Sequence, residues 1–236
     1  MRSQAAASRA PNHVQDRILE MRETTAPPRL RGRLLLALLI AFVVVFSFRT
    51  SIGRAMGRAL IAEDPLETAD VIVVPEWTLS AGALEAADLV HRGIAPSVLV
   101  LVKPEEPSTR ELVRRGILSA HQSMWLVGLL GQLGVQTVDQ IEGSDGGTRA
   151  EASALAAWCL QRRVGTIIVI TTLDHSRRVS RVLRRSMRGG DTKVIVRSTR
   201  YARFDPERWW ETRDSVRTEI VELQKLLVDF VSHPLS

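Results

Sequence analysis

Hydrophobic positions fall into two kinds of run along this chain. Residues 34–48, from Leu34 to Phe48, hold no charge, and only Ser47 among them is polar. A helix that is apolar all round has no face to offer water, and it must sit in lipid or in a protein core. Beyond residue 65 the apolar runs shorten. Asp70-Val71-Ile72-Val73-Val74, Val98-Leu99-Val100-Leu101-Val102, residues 135–141, Thr166-Ile167-Ile168-Val169-Ile170-Thr171-Thr172 and residues 192–198 read as five strands. The unbroken β-branched runs mark strands buried on both faces, as in parallel sheets. Residues 81–91, 109–115, 121–133, 148–163 and 176–188 predict the intervening helices, and Gly93, Gly116, Gly134 and Gly189 supply stop signals. A long last helix is predicted over 207–231, with Val216, Ile220, Leu223, Leu227 and Phe230 near helical spacing and Trp209-Trp210 seating it on the sheet.

Strands and helices alternate five times. The pattern predicts an α/β fold: a Rossmann-like, doubly wound, mainly parallel five-stranded sheet preceded by one transmembrane helix. No period of 20–50 residues recurs, which excludes a solenoid. The expected organisation is a flexible basic cytoplasmic tail (1–33), a transmembrane signal-anchor helix (34–50) and the α/β domain (65–232).

Composition sharpens this picture. With 45% hydrophobic and 25% charged residues in 236, wholesale disorder is excluded. A single cysteine excludes an internal disulfide framework, and no Cys/His cluster has zinc spacing. The net charge of +6 divides unevenly. Residues 1–33 carry seven arginines against three acids, a net +4, and residues 49–236 carry +2. The apolar run is shorter than the roughly 20 residues a span needs, and snorkelling by Arg33 and Arg49 lengthens it. Ser47-Phe48-Arg49 offers no Ala-x-Ala cleavage pattern, which disfavours a cleaved signal peptide. Seven arginines before the run and three after it (Arg49, Arg54, Arg58) predict a cytoplasmic N-terminus. The domain then lies outside the bacterial inner (plasma) membrane.

In an open parallel sheet, ligands bind outside the carboxyl ends of the strands. Two segments expected at that rim carry candidate chemistry. Gly146-Gly147-Thr148-Arg149-Ala150-Glu151 opens a helix, where unpaired N–H groups attract anions, with Arg149 beside them. Thr148 and Glu151 also fit a Thr-x-x-Glu capping box, which needs no ligand to explain it. Asp174-His175-Ser176-Arg177-Arg178 places a proton-transferring imidazole at a strand-to-helix turn, with a carboxylate and two arginines near it. Its plainer reading is an Asp N-cap beside a surface His. From Asp174 to Arg217 the chain carries thirteen cations against six acids, a local +7. That excess favours an anionic ligand, and a solvated Arg-rich helix face is the plainer account. Aromatics do not interleave the arginine cluster from Arg177 to Arg188, so nucleic acid is not expected. Glu76 is a possible second acid–base carboxylate, Trp77 a packing residue, and Cys159 a buried thiol. Gly-x-Ser-x-Gly, Walker and Gly-x-Gly-x-x-Gly motifs are all absent.

The order of features resembles the YdcF/SanA/ElyC family of bacterial envelope-associated domains. The resemblance covers roughly residues 65–231. It rests on Ala69-Asp70-Val71-Ile72-Val73-Val74, Thr148-Arg149-Ala150-Glu151-Ala152, Asp174-His175-Ser176-Arg177-Arg178, Trp209-Trp210 and Glu222-Leu223-Gln224-Lys225-Leu226. It departs where the family has Gly-Gly after the first strand and Ser-Gly-Gly after the second; here stand Pro75-Glu76-Trp77 and Val102-Lys103-Pro104. His175, Arg178, Thr148 and Glu151 carry over from the family pattern, and the glycine-lined loops do not.

The leading expectation is a membrane-anchored envelope protein whose extracytoplasmic domain binds or processes an anionic or phosphorylated metabolite, such as a lipid-linked glycan precursor. His175, with Glu76 second, is the candidate catalytic group. Gly146, Gly147, Thr148, Arg149, Glu151, Asp174, Arg177 and Arg178 are the candidate ligand-binding residues. No metal site is expected, and the sequence names no cofactor. The alternatives are a non-catalytic envelope scaffold or sensor, and a nucleotide- or S-adenosylmethionine-binding enzyme.

Overall fold

The computed structural model describes residues 28–117, 125–143 and 146–234, with side chains from residue 32. The expected tail over residues 1–27, the first residues of the helix expected at 121–133, and Ser144-Asp145 lie outside the described residues. The chain divides into two units, one ending at Arg49 and one beginning at Thr50.

In the first unit the apolar run is helical. Helix α1 (Pro28–Ala59) extends beyond the expected 34–50 at both ends. Gly32–Ala59 has a mean hydropathy of 2.3 and none of its apolar window is buried, so it is long and apolar enough to cross a membrane. Arg49 turns back along it, donating to the Phe46 carbonyl at 2.8 Å with its guanidinium 4.3 Å from the Phe46 ring centre.

The second unit is a five-stranded, all-parallel sheet with flanking helices. Its strands are β1 (Val71–Pro75), β2 (Val98–Val102), β3 (Val138–Glu142), β4 (Thr166–Thr171) and β5 (Lys193–Ser198). They lie in the order β3-β2-β1-β4-β5, so the winding reverses between β1 and β4. Asp70 pins that junction: its Oδ2 accepts from the Gly165 and Thr166 N–H groups, both at 2.8 Å.

Alternation along the strands feeds two cores. Ile72, Val74, Val98, Val100, Ile168 and Ile170 face helices α2 (Leu79–His91) and α4 (Trp125–Gln132). Val71, Val73, Leu99, Ile167 and Val169 face α5 (Thr148–Arg162) and α6 (Ser176–Ser186). Each fully buried aliphatic side chain contributes about 1.5–3 kcal/mol. A short α3 (Pro107–Arg114) follows β2, and α7 (Arg213–Ser232) closes the chain. The expected helix from 207 begins only at Arg213, because Trp209–Glu211 forms a 3-10 turn and Thr212 caps α7, its Oγ1 accepting from Ser215 N–H at 3.2 Å.

The tryptophan pair does a different job from the one expected. Trp209 Nε1 donates to the Gly53 carbonyl at 2.8 Å, and the Trp210 ring covers Gly53 so closely that a Cβ there would lie 2.6 Å from it. A Cβ on Gly57 would lie 2.5 Å from the Pro206 carbonyl oxygen. These glycines let the last ten residues of α1 dock on the loop before α7. Arg177 completes the dock, donating through Nε to the Ala59 carbonyl and through Nη2 to that of Ile61, both at 2.6 Å.

Replacing Gly57 by valine is expected to cost about 1–3 kcal/mol through overpacking. Thermal unfolding of the full chain in detergent should show a lowered Tm, and an unchanged Tm would contradict this docking.

Candidate functional site

The carboxyl end of β4 turns through a 3-10 segment, Leu173–His175, directly into α6. The tight turn aims two side chains at the crevice beside β1. Asp174 is buried, and its Oδ2 lies 3.2 Å from His175 Nδ1. Glu222, reaching over from α7, places Oε2 3.4 Å from the same nitrogen. Nδ1 is buried and makes no aligned hydrogen bond, so these contacts are electrostatic. The ring's remaining exposure therefore belongs to its other atoms. The Asp N-cap reading fails, since no side chain caps either the turn or α6.

Arg178 and Glu222 form the centre of the cluster. Arg178 donates from Nε and Nη2 to the two Glu222 oxygens at 2.7 and 3.1 Å, and from Nη1 to Thr148 Oγ1 at 3.0 Å. Lys225 adds a contact to Glu222 at 2.8 Å. Burial pushes the Glu222 carboxyl up, but Arg178, His175 and Lys225 together hold it below its ordinary value. Glu219, one turn earlier on the same face of α7, is 3% exposed and its Oε2 has no partner among the described residues. Burial, then the charges of Asp174 and Glu222, push its carboxyl up to about 8.

The capping box does not form. Gly147, at φ 67°, is the N-cap of α5, with no side-chain cap, and Thr148 is already the first helical residue. Thr148 and Glu151 turn instead toward the cluster. Glu151 is buried and accepts from Trp77 Nε1 at 3.2 Å, and the Trp77 ring centre lies 5.4 Å from that of His175. Trp77 thus stands in the crevice where the winding reverses, the position at which open parallel sheets take up ligands.

The other expected site residues lie elsewhere. Glu76 accepts from the Lys103 N–H at 2.7 Å and fixes the loop after β2. Arg177 holds the end of α1. Arg149 is exposed and forms no ion pair with a described residue. It lines, with Gly146, Thr148, Arg178, Val221 and Lys225, a groove of about 410 Å³ between the start of α5 and α7. A Cβ added to Gly147 would meet no described residue beyond its chain neighbours within 4 Å.

The local +7 is largely consumed within the chain. Arg181 and Arg185 pair with the buried Asp229 at 2.8 and 2.7 Å, Arg184 with Asp64 at 2.6 Å, and Arg200 with Asp88. Arg178, Arg181 and Arg185 are therefore an internal stripe against α7, and not the solvated face expected of that helix. Glu219 is the residue that sequence reasoning missed. Its signal was the i, i+3 spacing to Glu222, which puts both on one helical face.

A cavity of about 600 Å³ lies at the opposite, amino end of the strands, beside Cys159, Gly165 and Gly189. Burial pushes the Cys159 thiol up to about 11, so it offers no thiolate. Among the described residues no His/Cys/Asp/Glu group could hold a metal ion. Chemically, the rim cluster offers proton transfer through His175 and Glu219, and attraction for an anion at Arg149, Lys225 and the first N–H groups of α5. No family model, no curated protein and no solved structure matches the chain.

Glu219 carries a pH prediction. Its folded-state value near 8 exceeds an ordinary unfolded one near 4.5, so the folded chain binds the extra proton between them. Its contribution to stability is full below about 4.5 and falls as pH rises toward about 8. Urea midpoints of the full chain should decline across that window, and Glu219→Gln should flatten the decline. Parallel profiles for the two proteins would contradict the assignment.

Proposed function

We propose that this chain is a membrane-anchored envelope protein whose Rossmann-like domain binds an anionic or phosphorylated metabolite at the carboxyl rim of its sheet. In this reading α1 is a signal anchor in the bacterial inner membrane, the N-terminus is cytoplasmic, and the domain is extracytoplasmic. The resemblance to the YdcF/SanA/ElyC pattern supports it, as does the excess of arginine before the apolar run.

One observation carries the reading. Beside a helix N-terminus at the rim stands a cation, Arg149, with no carboxylate partner among the described residues, while nearly every arginine of α6 has one. A guanidinium left open at a concave site favours phosphate or carboxylate. The anion would lie in the groove bordered by Arg149, Thr148 and Lys225, and a lipid-linked precursor fits the valines Val221 and Val228 on its other wall. His175, held between two carboxylates, would be the proton-transferring group if the bound molecule is processed.

A specific observation favours the non-catalytic reading as well. Trp77 fills the crevice beside His175, at the place where the resembled family has glycines that let a ligand approach the backbone. In that reading the domain is a scaffold or sensor, and the groove only binds.

Native mass spectrometry of the full chain, released from its host membrane in detergent, tests the proposal. The wild-type protein should retain an anionic molecule. Arg149→Ala should weaken its binding about 10- to 100-fold, the equivalent of one charged hydrogen bond, with Tm unchanged. Retention of the same ligand by the variant, or an empty wild-type groove, would contradict it. A further outcome separates the two readings: if His175→Ala keeps the ligand and its chemical identity, the domain binds without processing.

A further inference from the structure

Helices α5 and α6 both end at the cavity of about 600 Å³ on the amino side of the sheet, a size usual for small-molecule pockets. Its walls are mostly apolar, with Ala157, Leu160, Val164 and Met187 around the buried Cys159. Two charged side chains, Arg163 and Asp191, line it without an ion pair to any described residue. Arg188 lines it too, but is engaged within the chain.

Arg163 stands in a place that glycine suits better. It closes α5 in the left-handed conformation, at φ 54° and ψ 45°. After α2, α3, α4 and α6 the positive φ belongs to Gly93, Gly116, Gly134 and Gly189, at 71° to 88°. A side chain at such a φ crowds its own backbone, so the arginine is held there at some cost in stability. Strain of this kind collects at ligand sites, and the guanidinium that takes the place of a glycine here lines the cavity.

We propose that this cavity binds a small zwitterion with an apolar body, of the class of apolar amino acids and short peptides. Arg163 takes the carboxylate, to which a guanidinium fork is matched. Asp191 takes the ammonium group, and the carbonyl ends of the two helices favour the same charge. The aliphatic wall takes the side chains. A simple anion would meet Asp191 and both helix ends, a simple cation would meet Arg163, and a neutral apolar molecule would answer neither charge. The cavity lies at the opposite end of the strands from His175 and Arg149, so the inference does not depend on what the rim groove binds.

Calorimetric titration of the full chain in lipid nanodiscs, where no detergent competes for the cavity, tests it with L-leucyl-L-leucine as the probe. The dipeptide should bind, and hexanoate and hexylamine, which each lack one charge, should bind about 10-fold more weakly or not at all. Arg163→Gly should weaken dipeptide binding about 10-fold while raising Tm, because glycine relieves the left-handed strain. A merely structural arginine would move Tm alone. Asp191→Asn should weaken binding to a similar degree. Ala157→Trp, which fills the cavity from an exposed position, should abolish binding with the fold intact. No binding by the wild-type chain, an affinity unchanged by Arg163→Gly or Asp191→Asn, or equal binding of hexanoate would overturn the proposal.

Discussion

The buried ion pair between Arg178 and Glu222 is the constraint on which the rim depends. Glu222 is 1% exposed, and taking such a carboxylate out of water costs several kcal/mol. Two parallel hydrogen bonds from Arg178 and a third contact from Lys225 offset that cost. The remaining Arg178 donor reaches Thr148 at the start of α5. One guanidinium therefore ties together three helices that are far apart in the sequence. The carboxylate it fixes is also one of the two that face His175. A side chain that first reads as a clamp for a ligand is thus the support that holds the candidate acid–base group in place.

The same logic extends along the helix pair. Arg181 and Arg185 share Asp229 one or two turns on, and the Arg181 guanidinium also lies 3.7 Å from the Phe230 ring centre. Burial pushes the Asp229 carboxyl up, but Arg185 and Arg181 together hold it below its ordinary value. Because α6 presents arginines, α7 must bury acids, and its apolar positions are left to face outward. Glu219 is the exception on that buried face. It has no ion-pair partner among the described residues, and burial with the charges of Asp174 and Glu222 makes it resist ionisation, where Glu222 is held charged.

Much of the fold was legible in the sequence, because β1, β2 and β4 are nearly unbroken runs of β-branched residues and leucine that a doubly covered sheet accommodates. Ordinary glycine stops marked the helices. The site was legible in part. Thr148 and Glu151 deserved notice, yet they answer to Arg178 and Trp77 across the crevice, which local spacing cannot show. The +7 window ended at Arg217, five residues before Glu222 and twelve before Asp229, so the matching acids fell outside it. Val216, Ile220 and Leu227 carried helical spacing, but spacing identifies a face without saying which way it points. Trp209 and Trp210 read as seats for the helix that follows them, and they grip glycines some 150 positions earlier.

A double-mutant cycle on Arg178 and Glu222 tests the central constraint most directly. Urea unfolding of the full chain would compare Arg178→Met, Glu222→Gln and the pair of changes together. Each single variant should lose about 3–5 kcal/mol, because it strands a buried charge, and the double variant should recover much of that loss. Losses that simply add would show that the two side chains act independently, and would contradict the account.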